Sequence, residues 1–473
     1  MKKIANINKC KACLIVPVEN QVRELDPKLL LACIAARRGF SVIIGSHREI
    51  DLHISSLPQG LYLNKSMTDR NLKMFRIMEN LGHEILTWDE EALVHLPADT
   101  YYSRRLSPVA IRYNSRLFAW GEDNAELWRQ YPDLPPDMPI HITGNPRSDM
   151  LRPDLRSFYE PEAEMLRKKY GSLILINTNF NHVNAFSPAQ NLFRPVTMAG
   201  QRPKFGKAAV GMSREYAEGL RDHKQDILKA FRQMIPRLDQ MFPDHVIIVR
   251  PHPTENQQIY IDIANDCKKV KVTNEGNVVP WLMAAEVVIH NGCTTGVEAY
   301  VMGVPAISYR AKINEEYDLG FYRLPNLISH QCFDMNELQE TLTKIFKGEL
   351  GAADGEERRA LINHYLAPQE GSLACERIVD VIDSTLQTKP ELVKPALNRK
   401  ALGWSMATWR RFTRYIRKYL PGKHAPQEFH RHRYPGITLQ ELSMKIAKLQ
   451  QVIEDRTILK TDQISDQIFV VGR

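Results

Sequence analysis

Two stretches of the sequence decide the fold: VIIVRPHPTENQ at residues 246–257 and VVIHNGCTTGVEAYVMGVPAI at residues 287–307. Each begins with an apolar run that predicts a buried β-strand, over residues 246–249 and 287–289. The first strand runs into the polar turn RPHP, residues 250–253. The second runs into HNGCTTG, residues 290–296, and then into a helix that we expect to begin near Val297. The pattern indicates an open parallel sheet with two polar turns at one edge.

These turns have the composition of an anion-binding site. Ligands of open α/β sheets bind outside the carboxyl ends of the strands, and a helix N-terminus attracts anions through its free amides and its dipole. Together the turns predict one site for a phosphate-bearing ligand such as a nucleotide. The nucleotide-binding candidates are Arg250, His252, Pro253, Gly292, Thr294, Thr295, Gly296 and Glu298.

Two of these assignments have plain structural alternatives. Arg250 and His252 would hold the phosphate, but the RPHP turn also fits a strand exit with solvated charges. Thr294 would bind phosphate, but it equally fits a helix N-cap. Glu298, one helical turn further on, would accept hydrogen bonds from ribose hydroxyls.

Length and composition indicate an ordinary globular protein. A chain of 473 residues is long enough for two or three domains, and 43% hydrophobic with 25% charged residues is typical of such proteins. We expect no signal peptide and no spanning helix, because no run reaches the roughly 18 apolar residues that a membrane span needs. Seven cysteines, an odd number, favour reduced thiols and a cytoplasmic location.

The positive charge is concentrated at the C-terminal end. From residue 386 onward there are 17 Lys and Arg against 7 Asp and Glu, a net charge of +10, whereas the first 385 residues carry −2. A basic segment implies an anionic partner. Residues 402–420 predict a helix with Trp409, Phe412, Ile416 and Tyr419 at helical spacing and arginines elsewhere on its surface. This composition suits an anionic membrane surface, and we expect no nucleic-acid partner.

The first 155 residues alternate apolar runs with helical patterns. Strands are predicted at residues 12–16, 41–44, 60–63, 84–87, 117–119 and 140–143, and helices at residues 27–38 and 69–81. Asp26 and Pro27 fit the N-cap and first position of the earlier helix, and Gly39 fits its end. The alternation pauses near residues 153–169 and resumes with a strand at residues 172–176.

The second half contains a long polar loop and a long helix. The loop extends to about Ser213, and the helix is predicted over residues 217–241. The predicted fold is α/β: two doubly wound, Rossmann-like domains facing a cleft, plus a helical C-terminal tail. By analogy at the level of the fold, this arrangement resembles the GT-B architecture of glycosyltransferases and sugar-nucleotide epimerases. The boundaries are residues 1–155 for an acceptor-side domain, 156–385 for a nucleotide-sugar domain and 386–473 for the basic tail, whose last helix is predicted over residues 439–453.

Carboxylates follow two strands of the first half. Glu19, Glu24 and Asp26 follow the first strand, and Asp89 follows the strand at residues 84–87. Sugar transfer needs a carboxylate as base or nucleophile, so these four are the catalytic candidates. The alternatives are a helix cap for Asp26, a surface pair of Glu24 with Arg23, and an acidic helix start at Asp89. For Asp26 the cap is the favoured assignment.

Further polar residues follow other strands and complete the predicted site. The remaining cleft candidates are Arg23, Asn145, Asn177 and Asn179. Cys10 and Cys13 form a lone CxxC without a second pair, which argues against zinc or redox chemistry. We therefore predict no metal and no cofactor other than a nucleotide-sugar substrate.

Several segments resemble one known family. LIVPVENQVRELDPKLLLACIAARRGFSVIIG, GHEILTWDEEALV, FAWGEDNAEL, ITGNPRSDML, INTNFNHVN, RPHPTEN and HNGCTTGVEAYVMGVPAIS are similar to segments of the bacterial surface carbohydrate biosynthesis proteins. These resemble GT-B glycosyltransferases of capsule and lipopolysaccharide assembly. The resemblance covers about residues 12–310 and does not extend to the tail.

The resemblance implies a cytidine nucleotide. Glycosyltransferases of this group that use CMP-sugars, including Kdo-type and sialic acid transferases, carry a His-Pro motif and a later Ser/Thr motif on the nucleotide phosphate. His252-Pro253 and Thr294-Thr295 are similar in type and order. Some sialyltransferases also have an acidic pair followed by glycine that supplies the base, whereas here Ala92 follows Glu91. Teichoic-acid glycerophosphotransferases combine the same two motifs and use CDP-glycerol.

The leading prediction is a glycosyltransferase at the inner membrane face. It would move a sugar from a nucleotide donor, such as a CMP-sugar, to a lipid-linked glycan of the bacterial surface. Glu19 or Asp89 would act on the acceptor proton or the glycosyl centre. Three alternatives stay open: a UDP-sugar 2-epimerase-like enzyme, a CDP-polyol phosphotransferase, and a non-catalytic scaffold of a polysaccharide assembly complex.

Overall fold

The computed structural model describes residues 10–196, 201–388, 392–417, 430, 431 and 433–473. Three parts of the sequence discussed above lie outside these residues. They are the first nine residues, residues 197–200 of the long loop, and the end of the helix predicted over residues 402–420, including Lys418 and Tyr419. The chain divides into two compact units. The first unit is Met1–Ala92, Arg105–Phe158 and Tyr365–Arg473, and the second is Leu93–Arg104 and Tyr159–His364.

The elements are numbered in chain order. The strands are β1 Cys13–Val18, β2 Ser41–Ser46, β3 Leu61–Asn64, β4 Glu84–Thr87, β5 Asn114–Ala119, β6 Ile140–Ile142, β7 Leu173–Thr178, β8 Val246–Pro251, β9 Val270–Val272, β10 Val287–His290, β11 Ala306–Tyr309, β12 His330–Cys332, β13 Lys460–Ser465 and β14 Ile468–Gly472. The helices are α1 Gln21–Arg37, α2 His47–His53, α3 Leu72–Leu81, α4 Ala98–Arg105, α5 Glu122–Arg129, α6 Pro146–Asp149, α7 Pro153–Arg156, α8 Glu160–Tyr170, α9 Arg214–Met241, α10 Gln258–Asn265, α11 Val278–Ala284, α12 Thr294–Met302, α13 Glu315–Phe321, α14 Arg323–Leu327, α15 Met335–Phe346, α16 Glu356–Tyr365, α17 Ala374–Thr388, α18 Leu397–Arg417 and α19 Leu439–Val452.

The first unit is built on an eight-stranded sheet in the order β13-β14-β2-β1-β3-β4-β5-β6. From β2 to β6 all neighbours are parallel. Every residue of β1 and β2 is buried, which explains why these strands read as continuous apolar runs. The chain reverses its direction of winding between β1 and β3, and in open α/β sheets ligands bind at such a point.

The second unit has a six-stranded parallel sheet in the order β12-β11-β10-β7-β8-β9. Counted along the chain of this unit, the order is 3-2-1-4-5-6, as in dinucleotide-binding folds. The switch of direction lies between β7 and β10, which pair from Val287 with Ile174 to His290 with Asn177. Both predicted anion-binding turns therefore lie at the carboxyl end of the sheet's centre.

Both units confirm the predicted fold class of two Rossmann-like α/β sheets, of the GT-B-like kind. The predicted helical tail is corrected, because residues 460–472 form a β-hairpin. Strand β14 pairs antiparallel with β2, and Ile468, Phe469 and Val471 are fully buried there. Residues that complete a core cannot form an independent tail.

The compact units differ from the three predicted domains. Residues 365–473 belong to the first unit, and residues 93–104 belong to the second. Helix α17 packs on α1, and the Asp149 carboxylate accepts hydrogen bonds from the backbone N–H groups of Ala374 (2.7 Å) and Cys375 (2.9 Å) at its start. This cap ties residues far apart in sequence to one core.

The starts of two helices were predicted too late. Helix α1 begins at Gln21, not at residue 27, so Pro27 lies inside the helix and the favoured N-cap role of Asp26 is wrong. The Glu24 carboxylate accepts hydrogen bonds from the backbone N–H groups of Glu19 and Asn20, and thereby stabilises the earlier start. Helix α12 begins at Thr294 with Cys293 at the N-cap position, so Thr294 is not the cap.

Candidate functional site

The turns after β7 and β10 are joined by one side chain. The Asn291 amide oxygen accepts a hydrogen bond from the backbone N–H of Asn179 at 2.8 Å, and the amide nitrogen donates to its carbonyl at 3.4 Å. Asn177, the neighbour of His290 in the sheet, is buried, and within the described part of the chain its Oδ1 has no hydrogen-bond donor. Asn177 and Asn179 therefore lie at the switch point of this sheet.

The turn after β8 is held by a carboxylate that the sequence reasoning missed. Glu255 is 1% exposed, and it accepts hydrogen bonds from the Thr178 hydroxyl (3.0 Å), the Tyr260 hydroxyl (2.8 Å) and the backbone N–H of His252 (3.1 Å). Burial raises the pKa of this carboxyl, against the effect of the hydrogen bonds. Its position three residues after His252, at the end of a predicted strand, was the available signal.

The same turn fixes the imidazole of His252. The ring Nδ1 accepts a hydrogen bond from the backbone N–H of Thr254 at 3.3 Å and lies 2.8 Å from its hydroxyl. The neutral ring therefore carries its proton on Nε2, where it is a donor. Pro253 is exposed beside it. This orientation suits an imidazole that donates to a phosphate oxygen.

The turn after β10 is shaped by the buried His290. Its Nδ1 accepts from the backbone N–H of Gly292 at 3.0 Å, and its Nε2 lies 2.9 Å from the Ser329 hydroxyl. Burial lowers the pKa of His290 to about 3, so the ring is neutral. A Cβ at Gly296 would lie 2.5 Å from this ring, and a Cβ at Gly292, whose φ is +82°, would lie 2.5 Å from the ring of Tyr322. Both glycines are required by packing.

The start of α12 presents the predicted hydroxyls and amides. Thr294 and Thr295 occupy its first two positions, and Cys293 precedes them at the N-cap. Burial raises the pKa of the Cys293 thiol, and the nearby Thr295 hydroxyl and backbone N–H groups of Thr295 and Gly296 oppose this rise. The amides of a first helical turn have no partner within the helix. Glu298 lies one turn later and is buried. A helix start of this kind is able to bind an anion.

The position of Arg250 argues against its predicted contact with the phosphate, because its guanidinium group is bonded elsewhere. The guanidinium is buried and donates to the carbonyls of Glu275 (2.7 Å) and Gly276 (3.1 Å), and it lies 5.0 Å from the Trp281 ring centre. Burial lowers its pKa to about 10. Arg250 anchors the loop before α11, and these contacts occupy the group that was expected to meet the phosphate.

Basic side chains that were not predicted gather near His252. Burial lowers the pKa of His182 well below its usual range, and the nearby positive charges of Lys224, Arg104 and His252 lower it further. Lys224, on α9, is 2% exposed and donates to the Tyr322 hydroxyl. Burial lowers its pKa to about 7, although Glu255 and Asp318 oppose this shift. The sequence around Lys224 has the pattern of an ordinary amphipathic helix and does not indicate that this lysine is buried.

The carboxylate Glu24 in the first unit is committed to structure. Besides capping α1, it pairs with the buried Lys28 at 2.8 Å and with Lys65 at 3.4 Å. Burial raises the pKa of Glu24, but the lysines outweigh it and hold the pKa well below the usual range. The predicted surface pair with Arg23 is wrong, because Arg23 pairs with Glu91 at 3.3 Å. The spacing of four residues between Glu24 and Lys28 was a signal that the sequence reasoning did not use.

Glu19 is the most accessible of the four catalytic candidates in this unit. It is paired with Lys65, which follows β3, and with Arg433. Burial raises its pKa, but these two cations lower it to about 2. Glu19 is therefore ionised at neutral pH, and so low a pKa makes it a weak proton acceptor while both cations stay in place.

The other predicted residues of the first unit are bonded within it. Asp89 is 1% exposed, is paired with Arg105, and lies in a turn rather than at a helix start. Asp26 pairs with Lys445 at 2.8 Å. Asn145 caps α6 by accepting from the backbone N–H of Arg147 at 3.0 Å. The structure thus brings Glu19 and Glu24 together beside Lys65, and it leaves Asp26 and Asp89 in separate ion pairs.

The described residues contain no recognisable set of metal ligands. No group of three or more His, Cys, Asp or Glu side chains there is placed to hold a metal ion. All seven cysteines are free of disulfide bonds.

Comparisons with known proteins bear on the fold. No protein-family model and no curated protein sequence matches this chain. Among solved structures, a variant of the wall teichoic acid polymerase TagF soaked with CDPG has a TM-score of 0.50 at 12% identity, over 80% of this chain and 90% of that one. UDP-GlcNAc 2-epimerases from Methanocaldococcus jannaschii (over 79% of this chain and 99% of that one) and Neisseria meningitidis (over 80% and 99%) give TM-scores of 0.44 at 12% identity. The chain shares the TagF fold.

Proposed function

We propose that this protein is a nucleotide-dependent transferase of bacterial surface polysaccharide synthesis. In this proposal it moves a sugar from a cytidine-nucleotide donor, such as a CMP-sugar, to a lipid-linked glycan. The observation that carries the proposal is the convergence of three turns at the switch point of the second sheet: Asn179 after β7, His252 after β8 and Thr294 after β10. Switch points of this kind are where open α/β sheets bind nucleotides.

The donor phosphate would lie at the start of α12. The backbone N–H groups of Thr294 and Thr295 and the Nε2–H of His252 would donate to its oxygens, and the ammonium of Lys224 would offset the charge of the leaving phosphate. Glu298 would accept hydrogen bonds from the ribose. With these donors, neutralising the leaving phosphate requires no metal ion in the proposed mechanism.

The acceptor would be activated in the first unit. Glu19 is the proposed carboxylate there, because it is partly exposed and lies after β1, where the first sheet switches direction. As an ionised group it would orient the acceptor hydroxyl, and it would gain basicity if an anionic acceptor drew Arg433 away.

A CDP-polyol phosphotransferase is the second candidate. It is favoured by the wall teichoic acid polymerase that shares this fold and was soaked with CDPG. Such an enzyme would use the same phosphate site but would pass a phosphate-linked polyol to the acceptor. Its products therefore differ from those of a CMP-sugar transferase: CMP leaves in both reactions, but the phosphate stays with the acceptor only in the second.

The test is nucleotide binding by the full chain, measured by titration calorimetry with CMP, CDP, UMP and UDP. We expect cytidine nucleotides to bind, and His252→Ala to weaken binding about tenfold or more while the thermal unfolding profile stays unchanged. The matched control is His245→Ala, because His245 immediately precedes the amino end of the same strand, where it stacks on Phe346 at 4.0 Å. If His252→Ala binds cytidine nucleotides as tightly as the wild type, the proposed site is refuted.

Turnover separates the candidate functions. CMP release from a CMP-sugar in the presence of a glycolipid acceptor supports the glycosyltransferase, and transfer of labelled phosphate from CDP-glycerol supports the phosphotransferase. Interconversion of free UDP-sugars would identify an epimerase. Nucleotide binding without turnover of any donor would identify a scaffold.

A cytoplasmic location at the membrane surface is part of the proposal, and α18 is its proposed contact. In the described residues no helix is both long and apolar enough to cross a bilayer. Trp404, Trp409, Phe412 and Tyr415 of α18 are all more than half exposed. These exposed aromatic side chains are the proposed lipid contacts, whereas Arg410, which was expected to face lipid, donates to Asp51 instead.

Vesicle flotation tests this contact. Deleting the helix would remove Ala407 from the core of the first unit, so point changes are preferable. Trp409→Ser with Phe412→Ser should reduce flotation with phosphatidylglycerol-containing vesicles. The control is Met444→Ser, an exposed apolar side chain on α19. Equal flotation of all proteins would refute the membrane contact.

A further inference from the structure

The C-terminal segment lines one side of an open cavity in the first unit. Its volume is about 630 Å³, and it lies at the carboxyl ends of β1 and β2, between α2, the Arg414 end of α18, residues 430, 431, 433 and 434, and the turn between β13 and β14. Small-molecule sites in proteins commonly have volumes of about 300–1,000 Å³. Glu19 lines the same cavity. The cavity is thus large enough for one or two sugar units beside the proposed acceptor carboxylate.

Charged side chains and histidines make up most of the lining of this cavity. Four arginines and three histidines line it, against two glutamates and two aspartates. Two of the acidic side chains are already paired with cations from outside the lining. Asp51 accepts from Arg410 at 3.0 Å and from the Tyr62 hydroxyl at 2.8 Å, and Glu19 is paired with Lys65. The acidic residues therefore leave positive charge uncompensated.

Arg48 and Arg414 carry that uncompensated charge. Neither guanidinium group makes a hydrogen bond or an ion pair with any residue that the structure describes, although both side chains are partly buried in the cavity wall. Burial lowers the pKa of Arg414 to about 10, and repulsion from Arg410 and Arg48 adds to the shift. Burial together with Arg48, Arg414 and Arg433 lowers the pKa of His430. Like charges held this close are stabilised when an anion lies between them.

We propose that this cavity binds an anionic saccharide, one that carries a phosphate or a carboxylate. The inference rests on the proposed transferase function and deepens it, because it assigns the anionic group of the acceptor glycan to Arg48 and Arg414. Guanidinium groups pair with phosphate and carboxylate through two parallel hydrogen bonds, which fits two unpaired arginines on one wall. An acceptor held in this way would place its hydroxyls beside Glu19.

The experiment is titration calorimetry of the full chain with glucose 6-phosphate, glucuronate, glucose and inorganic phosphate. Both anionic sugars should bind and glucose should not. Whichever of the two binds more tightly shows whether phosphate or carboxylate is the natural group. Inorganic phosphate that binds as tightly as glucose 6-phosphate would overturn the assignment to a saccharide, as would the absence of binding by both anionic sugars.

The variant Arg48→Gln with Arg414→Gln should weaken sugar-phosphate binding about tenfold or more for each arginine. The control is Arg399→Gln, on the same helix but paired with Glu79. Unchanged affinity in the double variant would overturn the proposal. Arg48→Gln alone, on the short α2, serves if circular dichroism shows that the double variant is unfolded. CDP binding by the second unit, measured in the same variants, should be unchanged, so failure of this cavity and failure of the nucleotide site give different results.

Discussion

Replacing Lys224 by methionine should stabilise the protein and damage nucleotide binding. The fall of the pKa from an ordinary 10.5 to about 7 means that the protein disfavours the buried ammonium by about 4–5 kcal/mol relative to water. Methionine fills similar space without a charge, but it leaves the Tyr322 hydroxyl without its donor, at a cost of about 1–2 kcal/mol. The expected net gain at pH 7 is therefore about 3 kcal/mol.

The sign of the pH dependence follows from the lowered pKa. Between pH 7 and pH 10.5 the unfolded chain holds more protons on Lys224 than the folded protein, so the wild type gains stability as the pH rises through this window. Lys224→Met lacks this dependence. Its advantage should be largest at pH 7 and should disappear near pH 10.5, where the lysine is largely neutral in the folded protein and partly neutral in the unfolded chain.

Urea unfolding followed by circular dichroism at pH 7, 8.5 and 10 measures the difference. Lys229→Met is the control, because Lys229 is exposed on the same helix and its loss should change stability by less than about 0.5 kcal/mol. A Lys224→Met protein that is less stable at pH 7, or a difference that does not vary with pH, would refute the reasoning. The same variant should bind CDP at least about tenfold more weakly, as expected where a site keeps a destabilising charge for function.

Three further changes test the packing around the two sheets. Gly296→Ala places a Cβ 2.5 Å from the buried His290 ring and should lower the free energy of unfolding by about 1–3 kcal/mol, measured by thermal denaturation; an unchanged melting temperature would contradict the contact. Glu255→Ala leaves the buried hydroxyls of Thr178 and Tyr260 without their acceptor, while the His252 N–H keeps the Thr178 carbonyl, and it should cost about 2–3 kcal/mol in urea unfolding; a loss below about 1 kcal/mol would show that water replaces the carboxylate. Gly45→Ala overlaps the carbonyl of Gln467 and should speed hydrogen exchange of residues 468–471; exchange at the wild-type rate would contradict the pairing of the hairpin.

The strands of both sheets were predictable because buried parallel strands are continuous apolar runs between polar turns. Residues 84–87 match β4 at both ends, and residues 287–289 differ from β10 by one residue. The hairpin of β13 and β14 was missed for two reasons. Its turn, Asp466-Gln467, is not one of the glycine-containing pairs that mark hairpins, and most of β13 is polar because it forms the edge of the sheet.

The candidate site was predictable in position but not in detail. The polar turns at His252 and Thr294 could be located, because residues that follow neighbouring parallel strands share one edge of the sheet. The partners of Arg250 were not predictable, since the carbonyls that it binds lie 25 and 26 residues later in a loop without a pattern. Lys224 was missed because a buried lysine and an exposed one have the same sequence signature in an amphipathic helix.

A crystal structure of the full chain with CDP shows directly whether the turns after β7, β8 and β10 bind a nucleotide phosphate. We expect a phosphate group within hydrogen-bonding distance of the backbone N–H groups of Thr294 and Thr295 and of the His252 ring. CDP bound elsewhere on the second unit, with the start of α12 unoccupied, would contradict this expectation.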